Sequence, residues 1–115
     1  MNVAFASRTG NVESVVRSLG IEDAVKIRDG SENVQGEYIL FTYTDGKGEV
    51  PKNVRKFLEH NPEIRGVVGS GNSEWHYETY NKAADLIARQ FGVPVIARLD
   101  ATGTDADHKN IRAAL

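Results

Sequence analysis

Residues 38 to 43, Tyr-Ile-Leu-Phe-Thr-Tyr, carry none of the apolar-to-polar alternation of a half-exposed strand. Such a segment reads as a central strand buried on both faces, which requires helices above and below it. The rest of the chain supplies them. Val12, Val15, Val16 and Leu19 recur at i, i+3, i+4 and i+7 ahead of Gly20, predicting a helix directly after the apolar strand Val3-Ala4-Phe5-Ala6. A short apolar piece, Ala24-Val25-Lys26-Ile27, precedes a link over 28 to 36 with room for at most one helical turn. Pro51 opens a second helix with Val54, Phe57 and Leu58 on one face, ending near Asn61-Pro62. Val67-Val68-Gly69 reads as a third core strand. Tyr80, Ala84, Ile87 and Phe91 mark a helix closed by Gly92, and Pro94 to Leu99 form the last strand. Thr104 with Asp107 is a capping box for a short terminal helix carrying Ile111 and Leu115.

Strands and helices alternating in this way predict an α/β three-layer sandwich: a five-stranded parallel sheet in the order 2-1-3-4-5, with helices on both faces. The 115 residues suffice for one domain spanning 1–115. In such sheets ligands bind beyond the carboxyl ends of the strands where the strand order switches, here between strands 1 and 3. Three loops meet at that edge: residues 7 to 12, 43 to 50 and 70 to 77.

The first loop, Ser7-Arg8-Thr9-Gly10-Asn11-Val12, leads from strand to helix. Free amides and the helix dipole at such a turn favour an anion, Ser7, Thr9 and Asn11 add side-chain donors, and Gly10 allows close backbone approach. The same residues also suit simple capping. Neither a P-loop nor a Gly-x-Gly-x-x-Gly pattern is present, which favours a mononucleotide over ATP or NAD. In the second loop Gly46 and Gly48 flank Lys47, spacing that suits either backbone approaching a ligand or an ordinary surface turn. The third offers Asn72 beside Trp75 and Tyr77. His60 reads as a helix-dipole partner, while His76 and His108 read as surface residues. No catalytic triad, metal-ligand cluster or carboxylate pair stands out, so the chemistry is expected to be redox chemistry carried by a cofactor.

The net charge of −2 and the lack of a long basic run argue against nucleic acid or an anionic membrane as partner. The chain has no cysteine, which removes disulfides, thiolate catalysis and Cys-ligated metal. With no leader and no membrane-length apolar run, the expected location is cytoplasmic.

Taken together, Ser7-Arg8-Thr9-Gly10-Asn11-Val12, the stretch Thr42-Tyr43-Thr44-Asp45-Gly46-Lys47-Gly48-Glu49-Val50-Pro51, and Ser70-Gly71-Asn72 with Trp75 resemble the NrdI family of small flavodoxin-like proteins. Ala101-Thr102-Gly103-Thr104 supports the likeness, which covers nearly the whole chain. The resemblance implies a flavodoxin-like fold and non-covalent FMN. It further implies a redox accessory role rather than a metabolic enzyme: reduced flavin reacts with dioxygen and passes superoxide or a peroxide-level oxidant to the dimanganese small subunit of class Ib ribonucleotide reductase, with an unidentified reductant for the flavin.

The phosphate would meet Ser7, Arg8, Thr9, Gly10 and Asn11, with Val12 next in the cofactor-binding set. Thr44, Asp45, Gly46, Lys47 and Gly48 would edge the isoalloxazine, and Tyr43 or Trp75 would cover a face by stacking. Gly71, Asn72, Ser73, Trp75 and Tyr77 would bind its polar edge or cover a face, and Lys47 is a candidate for tuning the potential. Family members often read Gly-Asn-Arg-Asn-aromatic-Gly in the third loop; here Gly71-Asn72-Ser73-Glu74-Trp75-His76 lacks the arginine and the last glycine. The same FMN site would also suit a general electron-transfer flavodoxin serving another reductase. A flavin-free receiver-like module fits less well, because strand 1 is followed by Ser7-Arg8 and not by acids.

Overall fold

The computed structural model describes residues 1 to 45, 48 to 72 and 80 to 115. In chain order these form β1 (Asn2–Phe5), α1 (Asn11–Ser18), β2 (Val25–Lys26), β3 (Tyr38–Tyr43), α2 (Lys52–His60), β4 (Ile64–Gly71), α3 (Lys82–Phe91), β5 (Val95–Asp100) and α4 (Asp105–Ala114). The strands pair in parallel in the order β2-β1-β3-β4-β5, the expected fold class.

The uniform apolarity of β3 has a direct structural cause. Successive side chains of a strand point to opposite faces. Tyr38 and Leu40 enter a core with Val54, Phe57, Leu58, Ala84 and Ile87 from α2 and α3. Ile39 and Phe41 enter the opposite core with Val12, Val15, Val16 and Ile111 from α1 and α4. A strand serving two cores has no solvent face, so every position is apolar or, like Thr42, buried with its hydroxyl donating to the Tyr43 carbonyl at 2.9 Å.

The register places the carboxyl ends of β1, β3 and β4 side by side, with Phe5 opposite Phe41 and Tyr43 opposite Ser70. β4 begins at Ile64, earlier than Val67, because Ile64 pairs with Tyr38 and a register shift absorbs Arg65 before Gly66 meets Ile39.

The link over 28 to 36 is non-helical. It is organised by the Glu32 carboxylate, which accepts the Arg28, Asp29 and Gly30 amides at 2.9, 3.2 and 3.0 Å. Buried Asn61 then fixes the link to α2: its Oδ1 accepts the Val34 amide at 2.9 Å, and its Nδ2 donates to the Glu32 and Phe57 carbonyls at 2.9 and 3.0 Å.

Three local expectations are corrected. Tyr80 lies outside α3, since Asn81 takes a left-handed conformation (φ 53°) and the helix starts at Lys82. α4 is not short: its 10 residues equal α3 in length. His108 is half-buried, not solvent-facing, with Nε2 2.8 Å from the Thr102 carbonyl oxygen.

The capping box forms as expected. Thr104 Oγ1 accepts the Asp107 amide at 3.2 Å, and Asp107 Oδ2 accepts the Thr104 amide at 2.9 Å. Thr104→Ala is expected to cost about 1 kcal/mol, read as a lower urea midpoint with an unchanged slope.

Candidate functional site

β1 ends at Phe5, and the chain turns through Ser7 to Gly10 into α1. Gly10 is the N-cap residue at φ 95°, a conformation that glycine adopts without the penalty of a Cβ. The Ser14 amide closes onto the Gly10 carbonyl at 2.9 Å, and the Glu13 amide donates to Ser7 Oγ at 3.3 Å. The Asn11 and Val12 amides, in the first turn, have no intrahelical acceptor. Together with the helix dipole they make this helix end suited to an anion.

The second loop starts where β3 stops. Asp45 and Glu49 exchange backbone hydrogen bonds of 2.8 Å each, and the Gly48 amide also reaches the Asp45 carbonyl at 3.1 Å. Thr44 ties this loop to α3. Its Oγ1 accepts the Ala83 amide at 3.1 Å, capping a helix whose own N-cap residue, Asn81, makes no side-chain cap bond. Thr44→Ala is therefore expected to lose about 1 kcal/mol of stability. Hydrogen exchange should quicken at the start of α3 while α1 stays protected.

In the third loop, Ser70 Oγ donates to the Ala101 carbonyl at 2.6 Å and fixes the end of β4 against the turn before α4.

The three loops enclose one cavity of about 350 Å³. The first contributes Ser7, Arg8, Thr9, Asn11 and Val12; the second, Tyr43 and Thr44; the third, Ser70, Gly71 and Asn72. Gly10, Asp45 and Gly48 are not among the lining residues: Gly10 shapes the helix start, and the other two build the turn of the second loop. Ser70 is an added wall residue that sequence reasoning did not assign, hidden because a serine at a strand end looks like the start of a polar loop. Gly46, Lys47, Ser73, Glu74, Trp75, His76 and Tyr77 lie outside the described residues.

One side chain joins the first loop to the second. Arg8 Nη1 lies 3.0 Å from Asp45 Oδ1, and its guanidinium carbon sits 5.2 Å from the centre of the Tyr43 ring. Burial pushes the Tyr43 phenol above its ordinary value; nearby Asp45 adds to the rise and Arg8 opposes it. Tyr43 therefore stays neutral near pH 7.

The described lining residues include no carboxylate, imidazole or thiol. Among the described residues no group of three or more His, Cys, Asp or Glu side chains is placed to hold a metal. No helix among them is long and apolar enough to cross a membrane. Backbone amides and hydroxyls from the first loop and the Tyr43 ring from the second suit a ligand with an anionic group and a flat ring system.

A doubly wound parallel sheet in this strand order, with a cavity at its switch point, defines a flavodoxin-like protein. A solved short-chain flavodoxin associated with a non-canonical PDU bacterial microcompartment shares this fold. It superposes with a TM-score of 0.72 over 97% of this chain and 90% of that one, at 18% sequence identity. The family described as NrdI flavodoxin-like matches residues 3–113. Protein NrdI of Deinococcus radiodurans is 37% identical over 97% of this chain and 80% of its own length. Protein NrdI of Bacillus licheniformis is 35% identical over 93% of this chain and 81% of its own length. The SPbeta prophage-derived protein NrdI of Bacillus subtilis is 35% identical over 95% and 86% respectively. The chain belongs to the NrdI flavodoxin-like family, a membership that implies a flavin cofactor.

Proposed function

We propose that this chain binds FMN in the three-loop cavity and supplies a reduced-oxygen oxidant, superoxide or peroxide, for assembly of the dimanganese-tyrosyl radical cofactor of class Ib ribonucleotide reductase. The observation that carries the reading is the convergence of all three loops on one cavity at the β1/β3 switch point in a member of this family. When bound, the flavin supplies electrons for the reduction of dioxygen.

The protein's own part is binding and placement. The Asn11 and Val12 amides, with the Ser7 and Thr9 hydroxyls, would hold the phosphate, and Gly10 supplies the left-handed turn that starts the helix behind them. Tyr43 and Thr44 on one side, with Gly71 and Asn72 on the other, would border the ring. Because Thr44 also caps α3, the ring wall is braced against a helix and does not rest on a free loop.

Purified protein supplied with FMN should show flavin absorption that remains after desalting. Mixed with the small reductase subunit, Mn(II), a reductant and dioxygen, it should generate a tyrosyl radical detectable by electron paramagnetic resonance. Flavin binding without any radical would favour the electron-carrier reading, and a lack of flavin binding would remove both.

A further inference from the structure

Arg8 belongs to the phosphate loop by sequence, yet its guanidinium is engaged with the end of β3 and the second loop. It lies 3.0 Å from the Asp45 carboxylate and 5.2 Å from the Tyr43 ring centre, and both partners belong to the β3 end and the second loop. A carboxylate beside that guanidinium offsets part of its field, and the same carboxylate would repel a phosphate dianion brought within contact of it. The phosphate has a separate set of donors in the first turn of α1. Arg8 is thus poorly disposed as a phosphate ligand and well disposed as a brace between the first and second loops.

We infer that Arg8 is a positioning residue for the ring end of the cavity. It carries a positive charge from the first loop to the second, pairs it with Asp45, and backs the Tyr43 ring as a wall of the site. The inference rests on the FMN reading above and changes one assignment implied by the family resemblance, that Arg8 meets the phosphate. Its chemical consequence concerns charge. A cation near the ring favours the reduced flavin, which is more negative than the oxidised one, and the Asp45 carboxylate opposes that effect.

The test uses FMN and riboflavin, which differ only in the phosphate. The unsubstituted protein, Arg8→Gln, Arg8→Lys, Asp45→Asn and the Arg8→Gln/Asp45→Asn pair are titrated with each, and the midpoint potential of the bound flavin is measured by dye equilibration. Arg8→Gln should weaken both flavins by the same factor, roughly two- to fivefold for an exposed ion pair with a cation-π contact, leaving their affinity ratio unchanged. It should also lower the potential. Asp45→Asn should raise the potential, the double variant should return towards the starting value, and Arg8→Lys should keep most of it.

A loss of FMN affinity in Arg8→Gln with riboflavin affinity unchanged would overturn the assignment and restore Arg8 to the phosphate. So would an unmoved potential in both single variants. If the unsubstituted protein binds neither flavin, this inference falls together with the FMN reading; if it binds FMN and only the Arg8 pattern fails, this inference falls alone.

Discussion

Phe57→Ala is expected to remove about 3–5 kcal/mol of stability, measured by urea unfolding. A domain of this size has roughly 5–15 kcal/mol to lose, so a sizeable part of the variant should be unfolded or molten under mild conditions. The cost is large because Phe57 is fully buried and its neighbours are fixed by polar contacts. The Tyr38 ring meets it edge-on, with centres 5.5 Å apart and planes at 85°. The Tyr38 hydroxyl donates to the Asn61 carbonyl at 2.6 Å, so the ring cannot collapse into the void without breaking that bond. Asn61 in turn holds the 28 to 36 link through its side-chain amide. Phe57→Leu refills most of the space and should cost under about 1.5 kcal/mol. Saturating flavin should recover part of the folded Phe57→Ala protein, because a ligand that binds only the native state pulls the equilibrium towards it. A Phe57→Ala midpoint equal to that of Phe57→Leu would show that this core collapses freely.

What the sequence makes legible here, and what it hides, divides along the range of the interactions. The place of β3 is readable because burial on two faces leaves its mark at every residue from Tyr38 to Phe41. The α1 entry is readable because strand, glycine and amphipathic helix follow one another within a few positions. The start of α3 is not. Tyr80 continues the apolar spacing of Ala84 and Ile87, but the helix begins only after left-handed Asn81, and its cap comes from Thr44, 39 positions away. The length of β4 is hidden for a similar reason: Arg65 and Gly66 interrupt the apolar run, and only the pairing of Ile64 and Gly66 with β3 makes a strand of this stretch.

The candidate site shows the same division. Ser7, Thr9, Asn11 and Val12 line the cavity as their local context suggests, and Tyr43, Thr44, Gly71 and Asn72 join them because the strand order brings their loops together. The role of Arg8 lies in contacts with Tyr43 and with Asp45, 37 positions on, and no local pattern announces either.

Removal of the phosphate from the ligand is expected to weaken flavin binding at least about a hundredfold, riboflavin against FMN. The first turn of α1 provides two amides without intrahelical acceptors, at Asn11 and Val12. Ser7 provides a third donor for a specific reason: its Oγ already accepts the Glu13 amide, which leaves the hydroxyl proton to be given away. Hydrogen bonds to a charged group contribute about 1.5–3 kcal/mol each, and the helix dipole adds up to about 2 kcal/mol in a partly buried setting. Two good bonds already exceed the roughly 2.7 kcal/mol that a hundredfold difference requires. Arg8 is left out of this sum because its charge is matched by Asp45. The preference should shrink as pH falls through about 6, where the phosphate takes up a proton and loses charge. Gly10→Val offers a second measure. A Cβ there would meet nothing within 4 Å, so the cost is backbone strain at φ 95° and a distorted cradle, not a clash. The variant should lose FMN affinity more than riboflavin affinity. Riboflavin binding within tenfold of FMN would mean that the α1 end of the cavity is not the phosphate site.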